Sequence, residues 1–314
     1  MTSDYVDTFP FPRATLREYP APASGTGGPA FHVFVGGWRV GGNYRTRAGA
    51  LRAAERGSKA TRPRRNWSTA QALGLRNVQC DATAIHAAPD GSRAFVLLDG
   101  IGDTETVRTW TRTAARRLAR AASRRGDAEA GLRHVYNGYA AHPDRQDPHR
   151  RRYMPGAAAV VAVTAPGRPM TVAWCGDSRA YLLTRGVVRR LTDDHNLHRV
   201  YPPSTTYPQG GNRDAITSYL GSVADDDARR ASHRHPAIEA VTVPLDGKPC
   251  RLLLASDGAY QPHQDAGHDL YAELDDDPRA ATLQAFVDLA VETSTAASPE
   301  DPYADNATAL LVDL

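Results

Sequence analysis

Short apolar runs of strand length recur from about residue 67 onward, and glycine, proline or aspartate separates one run from the next. Such runs predict buried β-strands, because a strand that is apolar at successive positions must be covered on both faces. The "PDG" sequence at 89–91 predicts a hairpin turn into the run Phe95–Leu98. We predict strands at 81–86, 95–98, 157–165, 169–177, 179–186, 187–192, 237–245, 250–258 and 307–314.

Two longer segments have the periodicity of helices. In Thr104–Arg125 the apolar positions fall three and four residues apart, and arginines occupy most of the other face. Pro278–Thr293 carries its apolar residues at similar spacing. Long helices on either side of a block of hairpins predict an α+β fold. The expected architecture is a four-layer α-β-β-α sandwich, in which helices flank two antiparallel sheets.

Residues 1–60 differ from the rest of the chain. They are rich in glycine and proline ("YPAPASGTGGPA"), contain one candidate hairpin ("FHVFVGGWRVGG") and end in a basic stretch ("ERGSKATRPRRNW"). This texture predicts an N-terminal extension that is partly flexible.

Composition narrows the class of protein. The 314 residues are 41% hydrophobic and 23% charged, as in globular proteins, and no apolar run is long enough to span a membrane. The N-terminus lacks the apolar stretch of a secretory signal. Three widely spaced cysteines (Cys80, Cys175 and Cys250) exclude a disulfide framework and a cysteine zinc ribbon. We therefore expect a cytoplasmic protein without a membrane partner.

The charge pattern is basic in two places, 45–76 and 108–152, although the net charge is only +3. Lys59 and Lys248 are the only lysines, so nearly all of this positive charge is arginine. A solvated helix face explains most of it, and no nucleic-acid motif or interleaved aromatic residues accompany it. We expect no specific nucleic-acid partner, and nucleic-acid binding through the basic N-terminal region is the weakest of three functional hypotheses.

Four predicted strands have an aspartate at one end. Asp99 and Asp257 each end an apolar run and precede a glycine, Asp177 follows "VAWCG", and Asp305 stands just before the last strand. One such aspartate is ordinarily part of a turn. Four that converge at one edge of a sandwich would repel each other unless a cation lay between them. Ligands of this kind suit Mg²⁺ or Mn²⁺, and a pair of such ions is a device for hydrolysing phosphate esters.

Five segments follow one another along the chain: "FVLLDGIGD", "TVAWCGDSRAYLLTRGVVRRLTDDHN", "AITSYLGS", "RLLLASDGAY" and "ADNATALLV". Together they resemble the ordered motifs of the metal-dependent protein phosphatases (the PPM family, protein phosphatase type 2C), in their bacterial form. The resemblance extends over about 67–314 and assigns a PPM-type domain to 61–314. It implies the sandwich described above, with its metal centre at one edge, and hydrolysis of phosphoserine and phosphothreonine at two Mn²⁺ or Mg²⁺ ions.

Matching positions imply roles for single residues. Asp99 resembles the aspartate that bridges both ions, and Gly100 the residue that offers a backbone carbonyl to one of them. Asp177 resembles the ligand of a third, weaker ion found in many members. The implied metal ligands are Asp81, Asp99, Gly100, Asp177, Asp257 and Asp305.

The resemblance implies further roles next to the metal ligands. Arg76 stands five residues before Asp81, a spacing similar to that of the family's phosphate-binding arginine and metal-shell aspartate. Its planar guanidinium suits two phosphate oxygens, so Arg76 and Asp99 are the implied catalytic residues. Asn306 is implied to orient Asp305 without touching metal.

Three departures from the family pattern stand out. Cys80 occupies the position before Asp81 where the family usually has glutamate or glutamine, which would weaken the second ion, make activity redox-sensitive, or simply pack a small side chain. Ile101 stands where some members carry a histidine acid. Residues 196–214 replace a longer helical flap and predict an irregular, mobile loop.

Histidines elsewhere are less suggestive of a metal site. His195 is expected to stabilise a turn, and the histidines of "HRH" (233–235) and "HQDAGHD" (263–269) are expected in surface loops, because neither segment has the paired spacing of a zinc helix.

The leading hypothesis is a metal-dependent serine/threonine protein phosphatase. Its partners would be phosphorylated proteins, and a serine/threonine protein kinase is a further partner that the resemblance allows. The alternative, motivated by Cys80 and the altered flap, is a catalytically weak pseudophosphatase that binds phosphoproteins or acts as a scaffold.

Overall fold

The computed structural model describes residues 6–11, 14–19, 30–35, 38–44, 46–59, 66–245, 247, 249–274 and 279–314. The chain divides into two compact units, Met1–Arg65 and Asn66–Leu314. Among the described helices, none is both long and apolar enough to cross a membrane.

The described residues of the first unit form an antiparallel sheet and a helix. The strands are β1 (Val6–Phe11), β2 (Ala14–Tyr19), β3 (Ala30–Val35) and β4 (Trp38–Tyr44), paired in chain order, and α1 spans Arg47–Lys59. Leu16, Phe31 and Val33 of the sheet pack with Ala50, Ala53 and Ala54 of α1. The predicted hairpin is confirmed as β3–β4, but the pattern missed β1, β2 and α1. The predicted partial flexibility of this region stays a prediction.

The second unit contains two five-stranded sheets, and every strand pairing in them is antiparallel. Sheet I has the order β11-β10-β13-β14-β5, and sheet II has the order β12-β9-β8-β7-β6. The strands are β5 (Trp67–Ala72), β6 (Ala82–Ala87), β7 (Arg93–Gly100), β8 (Ala157–Thr164), β9 (Met170–Cys175), β10 (Arg179–Thr184), β11 (Val187–Arg190), β12 (Glu239–Val243), β13 (Arg251–Ala255) and β14 (Ala307–Asp313).

The helices of this unit form the two outer layers and the connections. They are α2 (Glu105–Arg125), α3 (Ala128–Ala140), α4 (Pro143–Gln146), α5 (Pro148–Arg151), α6 (Leu197–Val200), α7 (Asp226–His233), α8 (Asp257–Ala266), α9 (Leu270–Leu274) and α10 (Arg279–Ala297). The predicted helix after Asp99 is confirmed: the Thr104 hydroxyl accepts a bond from the Val107 amide at its start, and Gly126 ends it in the left-handed conformation with φ 60°.

Three apolar cores hold the layers together. One lies between the sheets, one packs sheet II on α2 and α3, and one packs sheet I on α8, α9 and α10. Strand β7 shows why its sequence is apolar at consecutive positions: Phe95 and Leu97 face sheet I, whereas Ala94, Val96 and Leu98 face the helices. The predicted four-layer α-β-β-α sandwich is confirmed.

Candidate metal and phosphate site

The strand registers bring the predicted aspartates to one end of the sandwich. In sheet II, Asp99 at the end of β7 pairs with Ala158, whose neighbour Ala159 pairs with Cys175 at the end of β9, just before Asp177. In sheet I, β13 ends and β14 begins at this same end, where Ala255 pairs with Ala309. We call Asp81, Asp99, Asp177, Asp257 and Asp305 the acidic cluster.

Asp81 shows how unusual this environment is. Its side chain is only 2% exposed, and neither carboxylate oxygen has a hydrogen-bond partner. Burial, together with the nearby charges of Asp257 and Asp305, raises the pKa of Asp81 to about 8. A buried carboxylate with no bonded hydrogen is costly unless another group satisfies it.

Three other members of the acidic cluster are shifted in the same direction. Burial raises the pKa of Asp99 well above its usual range, and the charges of Asp81, Asp257, Asp177 and Asp305 add to the rise. The pKa of Asp177 and that of Asp257 are also raised by burial and then by neighbouring aspartates. One oxygen of Asp177 is buried without a partner. These four aspartates therefore form a concentrated negative site.

The carboxylate oxygens of the acidic cluster decide whether it suits a divalent cation. Among the described residues, no group of three or more His, Cys, Asp and Glu side chains is already arranged so that it could hold a metal ion. The donors of the acidic cluster are nevertheless all oxygen, which suits hard ions such as Mg²⁺ and Mn²⁺, and three of its buried oxygens lack any hydrogen bond. The donor types therefore fit the ions that the sequence predicts.

Arg76 lies at the rim of the acidic cluster. Its Nη2 donates to Asp305 Oδ2 at 2.7 Å and also to the Tyr303 hydroxyl, while its guanidinium lies 5.3 Å from the centre of the Tyr303 ring. Burial lowers the pKa of Arg76, but the bond and charge of Asp305 outweigh it and raise that pKa overall. The buried Nε has no acceptor among the described residues.

Asp103 positions the loop that carries Arg76, a role that sequence reasoning missed. Its carboxylate accepts from the backbone amides of Asn77 at 3.0 Å and Val78 at 2.7 Å. Gly74 lets the same loop lie close to the segment just before β14. Its φ is 63°, and a Cβ there would lie 2.2 Å from the Asp305 carbonyl. The Leu75 amide donates to the Ala304 carbonyl at 2.8 Å. These contacts hold Arg76 against Asp305.

The glycine after Asp99 has a packing reason in this structure. A Cβ on Gly100 would lie 2.6 Å from the Cys80 carbonyl and 2.7 Å from the Thr111 hydroxyl. Only glycine therefore allows the end of β7 to pass between the Cys80 segment and α2. Gly258 is similar, because a Cβ there would lie 2.4 Å from the Asn306 carbonyl.

Cys80 and Asn306 form a buried link behind the acidic cluster. The Cys80 amide donates to Asn306 Oδ1 at 2.7 Å, and Asn306 Nδ2 donates to the Leu73 carbonyl at 2.9 Å. The Cys80 side chain is fully buried, and burial raises its pKa. These facts favour a packed thiol over a reactive thiolate among the alternatives for Cys80.

An open cleft of about 900 Å³ lies over the cluster. Arg76, Asp99, Gly100, Asp257 and Asp305 line it, whereas Asp81 and Asp177 lie outside its lining. Ile101, which replaces the histidine acid of some family members, also lines the cleft and is 44% exposed. The opening is large enough for a phosphorylated side chain and part of its backbone.

The segment 196–214 forms one wall of the cleft through Arg213 and Asp214. It is largely irregular, as predicted, with only the four-residue helix α6 in it. Arg213 binds Asp265 of α8 through two bonds, at 2.8 and 2.6 Å. The predicted mobility of this segment stays a prediction.

The "HRH" segment is not simply a surface loop, and that prediction is wrong for His235. His235 is 2% exposed and stacks on the fully buried His195, with ring centres 4.2 Å apart. His195 Nε2 donates to Glu239 at 2.9 Å, and Arg199 binds both oxygens of Glu239 at 2.6 and 3.0 Å. We call His195, Arg199, His235 and Glu239 the imidazole cluster.

His195 also fills the role predicted for it. Its Nδ1 lies 3.4 Å from the Gly176 amide, and its own amide donates to the Gly176 carbonyl at 2.9 Å, which steadies the turn before Asp177.

The prediction for "HQDAGHD" is also wrong in part. His263 is fully buried within α8, where its Nε2 donates to the Phe286 carbonyl at 2.8 Å and its ring stacks on Phe286 at 4.1 Å. His268 is half-buried, and its Nδ1 lies 3.0 Å from the Nδ1 of His263. These histidines pack α8 against α10, and no local sequence signal indicated their burial.

Comparison with known proteins indicates the same family as the sequence motifs. The family model described as Protein phosphatase 2C matches residues 67–200. A rice protein named Probable protein phosphatase 2C 44 is 31% identical over 117 residues, which are 34% of this chain and 36% of that protein. A mouse protein named Probable protein phosphatase 1N is 27% identical over 199 residues, 59% of this chain and 49% of that protein. The chain thus matches between a third and a half of the length of these relatives.

Solved structures share the fold across most of this chain. The serine/threonine phosphatase of S. agalactiae superimposes with a TM-score of 0.61 at 17% identity, over 78% of this chain and 98% of that one. The PPM Ser-Thr phosphatase MsPP of Mycobacterium smegmatis gives a TM-score of 0.54 at 20% identity, over 79% of this chain and 97% of that one.

Two antiparallel sheets, outer helices and an acidic cleft at one end are therefore the architecture of the PPM class of phosphatases. The family match over β5 to α6 makes the assignment more specific than the fold does. Residues 67–200 match the protein phosphatase 2C family model, and the rice relative indicates the same family.

Proposed function

We propose that this chain is a metal-dependent serine/threonine protein phosphatase that hydrolyses phosphoserine and phosphothreonine. The observation that carries the proposal is the acidic cluster, in which burial and mutual repulsion raise the pKa of Asp81, Asp99, Asp177 and Asp257 beside an open cleft. Strongly shifted carboxyl groups in a cleft are typical of a functional site, and here their excess negative charge calls for cations.

The residues proposed to hold two Mn²⁺ or Mg²⁺ ions are Asp81, Asp99, the Gly100 carbonyl, Asp257 and Asp305, with Asp177 for a third ion. Bound divalent ions supply the activation of water and the neutralisation of phosphate charge that such hydrolysis needs. Asn306 supports this set through the chain, because it ties the Cys80 amide to the loop of Leu73.

Arg76 is proposed to orient the phosphate. Asp305 and Tyr303 hold its guanidinium at the cleft, and its Nε has no acceptor among the described residues. A planar guanidinium that is already fixed can bind a tetrahedral oxyanion with little further loss of side-chain freedom.

The test is hydrolysis of a phosphothreonine peptide by purified protein with millimolar Mn²⁺. We expect turnover that ceases with a chelator and that Asp99→Ala abolishes. Turnover no greater than that of Asp99→Ala would contradict the proposal.

A pseudophosphatase is the second candidate, and Cys80 favours it. The thiol stands where a carboxylate or amide is usual in the family, and its amide, not its sulfur, bonds to Asn306. Calorimetric titration with Mn²⁺ separates the two candidates: the phosphatase predicts two tight sites, whereas the pseudophosphatase predicts weak binding or a single site.

The remaining parts of the proposal concern context. We propose that 61–314 is the phosphatase domain, that the protein acts in the cytoplasm in signalling, and that its substrates are phosphoproteins supplied by a serine/threonine kinase. Incubation with phosphoproteins made by such kinases, followed by measurement of released phosphate, tests the substrate class.

A further inference from the structure

Helix α2 carries a row of arginines that the proposed chemistry does not use. Arg108, Arg112, Arg116, Arg120 and Arg124 recur every fourth residue, so they form a continuous row that winds about 40° around the helix axis at each step. We call these five residues the arginine ridge. At 1.5 Å per residue, the ridge is about 24 Å long.

The ridge begins next to the cleft. A Cβ on Gly100 would lie 2.9 Å from Val107 of α2, so the first turn of the helix rests against the end of the strand that carries Asp99. Ile101 and Gly102, just before the helix, line the cleft itself. A chain bound in the cleft can therefore continue onto the ridge.

The ridge lacks compensating charge. Arg108 pairs with Glu105 at 2.7 Å, but Arg112, Arg116, Arg120 and Arg124 are exposed and make no ion pair with any acidic side chain that the structure describes. Like charges four residues apart weaken a helix. Repulsion between successive arginines is therefore an electrostatic cost that an anionic partner would remove.

A groove of about 370 Å³ accompanies the second half of the ridge. The groove is lined by Arg117 and Arg125 of α2 and by His134 of α3. Arg116, Arg120 and Arg124 of the ridge also line it. Arg117 is held in place by Tyr139, whose ring centre lies 4.9 Å from its guanidinium. Concave shape and a second arginine row make this surface more selective than a single charged helix face.

We propose that the arginine ridge and its groove bind an acidic, Asp- and Glu-rich segment of the protein substrate next to the phosphorylated residue. This rests on the proposed phosphatase function for the choice of partner. An extended segment of about seven residues would span the ridge. Guanidinium groups bind carboxylates through two parallel hydrogen bonds, which suits side chains projecting from such a segment.

A protein segment fits this surface better than a nucleic acid does. The lining of the groove offers no aromatic ring on which bases could stack. The whole chain is also close to neutral, with a net charge of +3.

Direct binding tests the ridge without any need for catalysis. A fluorescent, unphosphorylated heptaglutamate peptide is titrated into the full chain at low salt, and anisotropy is recorded. In the triple variant Arg116→Gln, Arg120→Gln, Arg124→Gln we expect affinity to fall about tenfold, the combined effect of three exposed charge pairs. The matched triple Arg185→Gln, Arg189→Gln, Arg234→Gln makes the same change in net charge elsewhere and should retain wild-type affinity. Equal losses in the two triples, or no binding by the wild type, would overturn the proposal.

Other occupants are tested in parallel. Single-stranded DNA, duplex RNA and phosphatidylserine vesicles are titrated under the same salt conditions. Binding of any of them that is tighter than that of the peptide and depends on the ridge overturns the assignment to a protein segment.

Kinetics link the ridge to the cleft. We compare kcat/KM for a phosphothreonine peptide with a heptaglutamate tail and for one with a Gly-Ser tail of equal length, and repeat the pair with the tail on the other side. The ratio should favour the acidic tail and fall about tenfold in the ridge triple, but not in the matched triple. Hydrolysis of both peptides with a ratio near one refutes the ridge and leaves the phosphatase function standing. Absence of all hydrolysis refutes the function, and the anisotropy result then decides on the ridge alone.

Discussion

Two buried polar clusters lie near the same end of the sandwich, and they solve the problem of buried charge in opposite ways. In the imidazole cluster, Glu239 receives bonds from both His195 and Arg199, so each ionic group has a partner. In the acidic cluster, neither carboxylate oxygen of Asp81 has a hydrogen-bond partner, and the charges that act on it most strongly are those of Asp257 and Asp305.

The pKa values express this difference. Burial would raise the pKa of Glu239, but the bonds from His195 and Arg199 outweigh it and lower that pKa to about 2. Burial instead raises the pKa of Asp81 to about 8. Buried charged groups that pair with one another stabilise the fold. Buried carboxylates without a partner are expected where a ligand completes the site. The contrast separates residues that hold the fold from residues proposed to act.

The largest expected effect comes from breaking the acidic side of the contrast. Asp99→Asn removes one charge from the cluster, and we expect phosphatase activity to fall about a thousandfold because a proposed metal ligand is lost. The metal-free variant should nevertheless unfold at a higher temperature than wild type, since repulsion is relieved. Activity on a phosphothreonine peptide and thermal unfolding with chelator measure the two effects.

The control for this variant is Asp227→Asn, at a carboxylate that is 94% exposed. It should change neither activity nor unfolding. A metal-free Asp99→Asn protein less stable than wild type would show that the acidic cluster is satisfied in some other way.

Breaking the imidazole cluster should have the opposite effect on stability. Glu239→Gln keeps the shape of the side chain but leaves Arg199 and His195 without their anion, and we expect a loss of about 2 kcal/mol. Urea unfolding of the metal-free protein measures it. Glu129→Gln, which breaks an exposed pair with Arg133, should cost less than about 1 kcal/mol. Equal costs for the two variants would remove the distinction between buried and exposed pairing.

The pH dependence of stability sharpens the comparison. His235 has a pKa lowered to about 4 by burial and by His195, so between pH 4 and 6.5 the unfolded chain binds more protons and stability rises with pH. Asp81 has a folded pKa of about 8, so from about pH 4 to 8 the folded chain binds more protons and stability falls as pH rises. Between pH 6.5 and 8 the acidic effect acts with little opposition from His235.

Metal-free protein should therefore lose roughly 1–2 kcal/mol through Asp81 from pH 6.5 to 8. Urea unfolding at the two pH values measures this, and Asp81→Asn should flatten the change. Saturating Mg²⁺ should also flatten it, because cations favour the ionised carboxylates. A wild-type stability that rises over this range without metal would contradict the assignment.

The smallest effect concerns the thiols. Cys80 and Cys175 are buried, and burial raises the pKa of each, whereas Cys250 is half-buried. A thiol reagent should therefore label Cys250 first in the native protein and all three cysteines after unfolding. Peroxide should lower activity by less than about twofold if Cys80 is packed rather than reactive. Rapid native labelling of Cys80, mapped by mass spectrometry, would support the redox-sensitive alternative instead.

The sequence predicted the sandwich well because its signals are local. Each buried strand is visible in the sequence as an apolar run. The run Phe95–Leu98 is apolar at every position because both its faces are covered. Thr104 and Gly126 likewise mark the ends of α2 within a few residues. The positions of the acidic strand ends follow once the strands are paired.

Contacts between distant segments were beyond reach of such patterns. Tyr303 meets Arg76 across 227 residues, and nothing near either residue indicates the bond. The burial of His235 and His263 depends on the packing of α7 and α8, so histidine-containing segments that look polar were assigned to surface loops. Long-range pairing of polar side chains is the part of the site that only three-dimensional structure supplies.

Strand β14 has a consequence for how the domain is made. It is the last strand along the chain, yet it lies inside sheet I between β13 and β5, and Asp305 and Asn306 immediately precede it. Strand β5 is therefore joined to the rest of sheet I only through β14, which comes from the far end of the domain sequence. Pairing between strands so distant in sequence is slow to form, so we expect the acidic cluster to be completed late in folding.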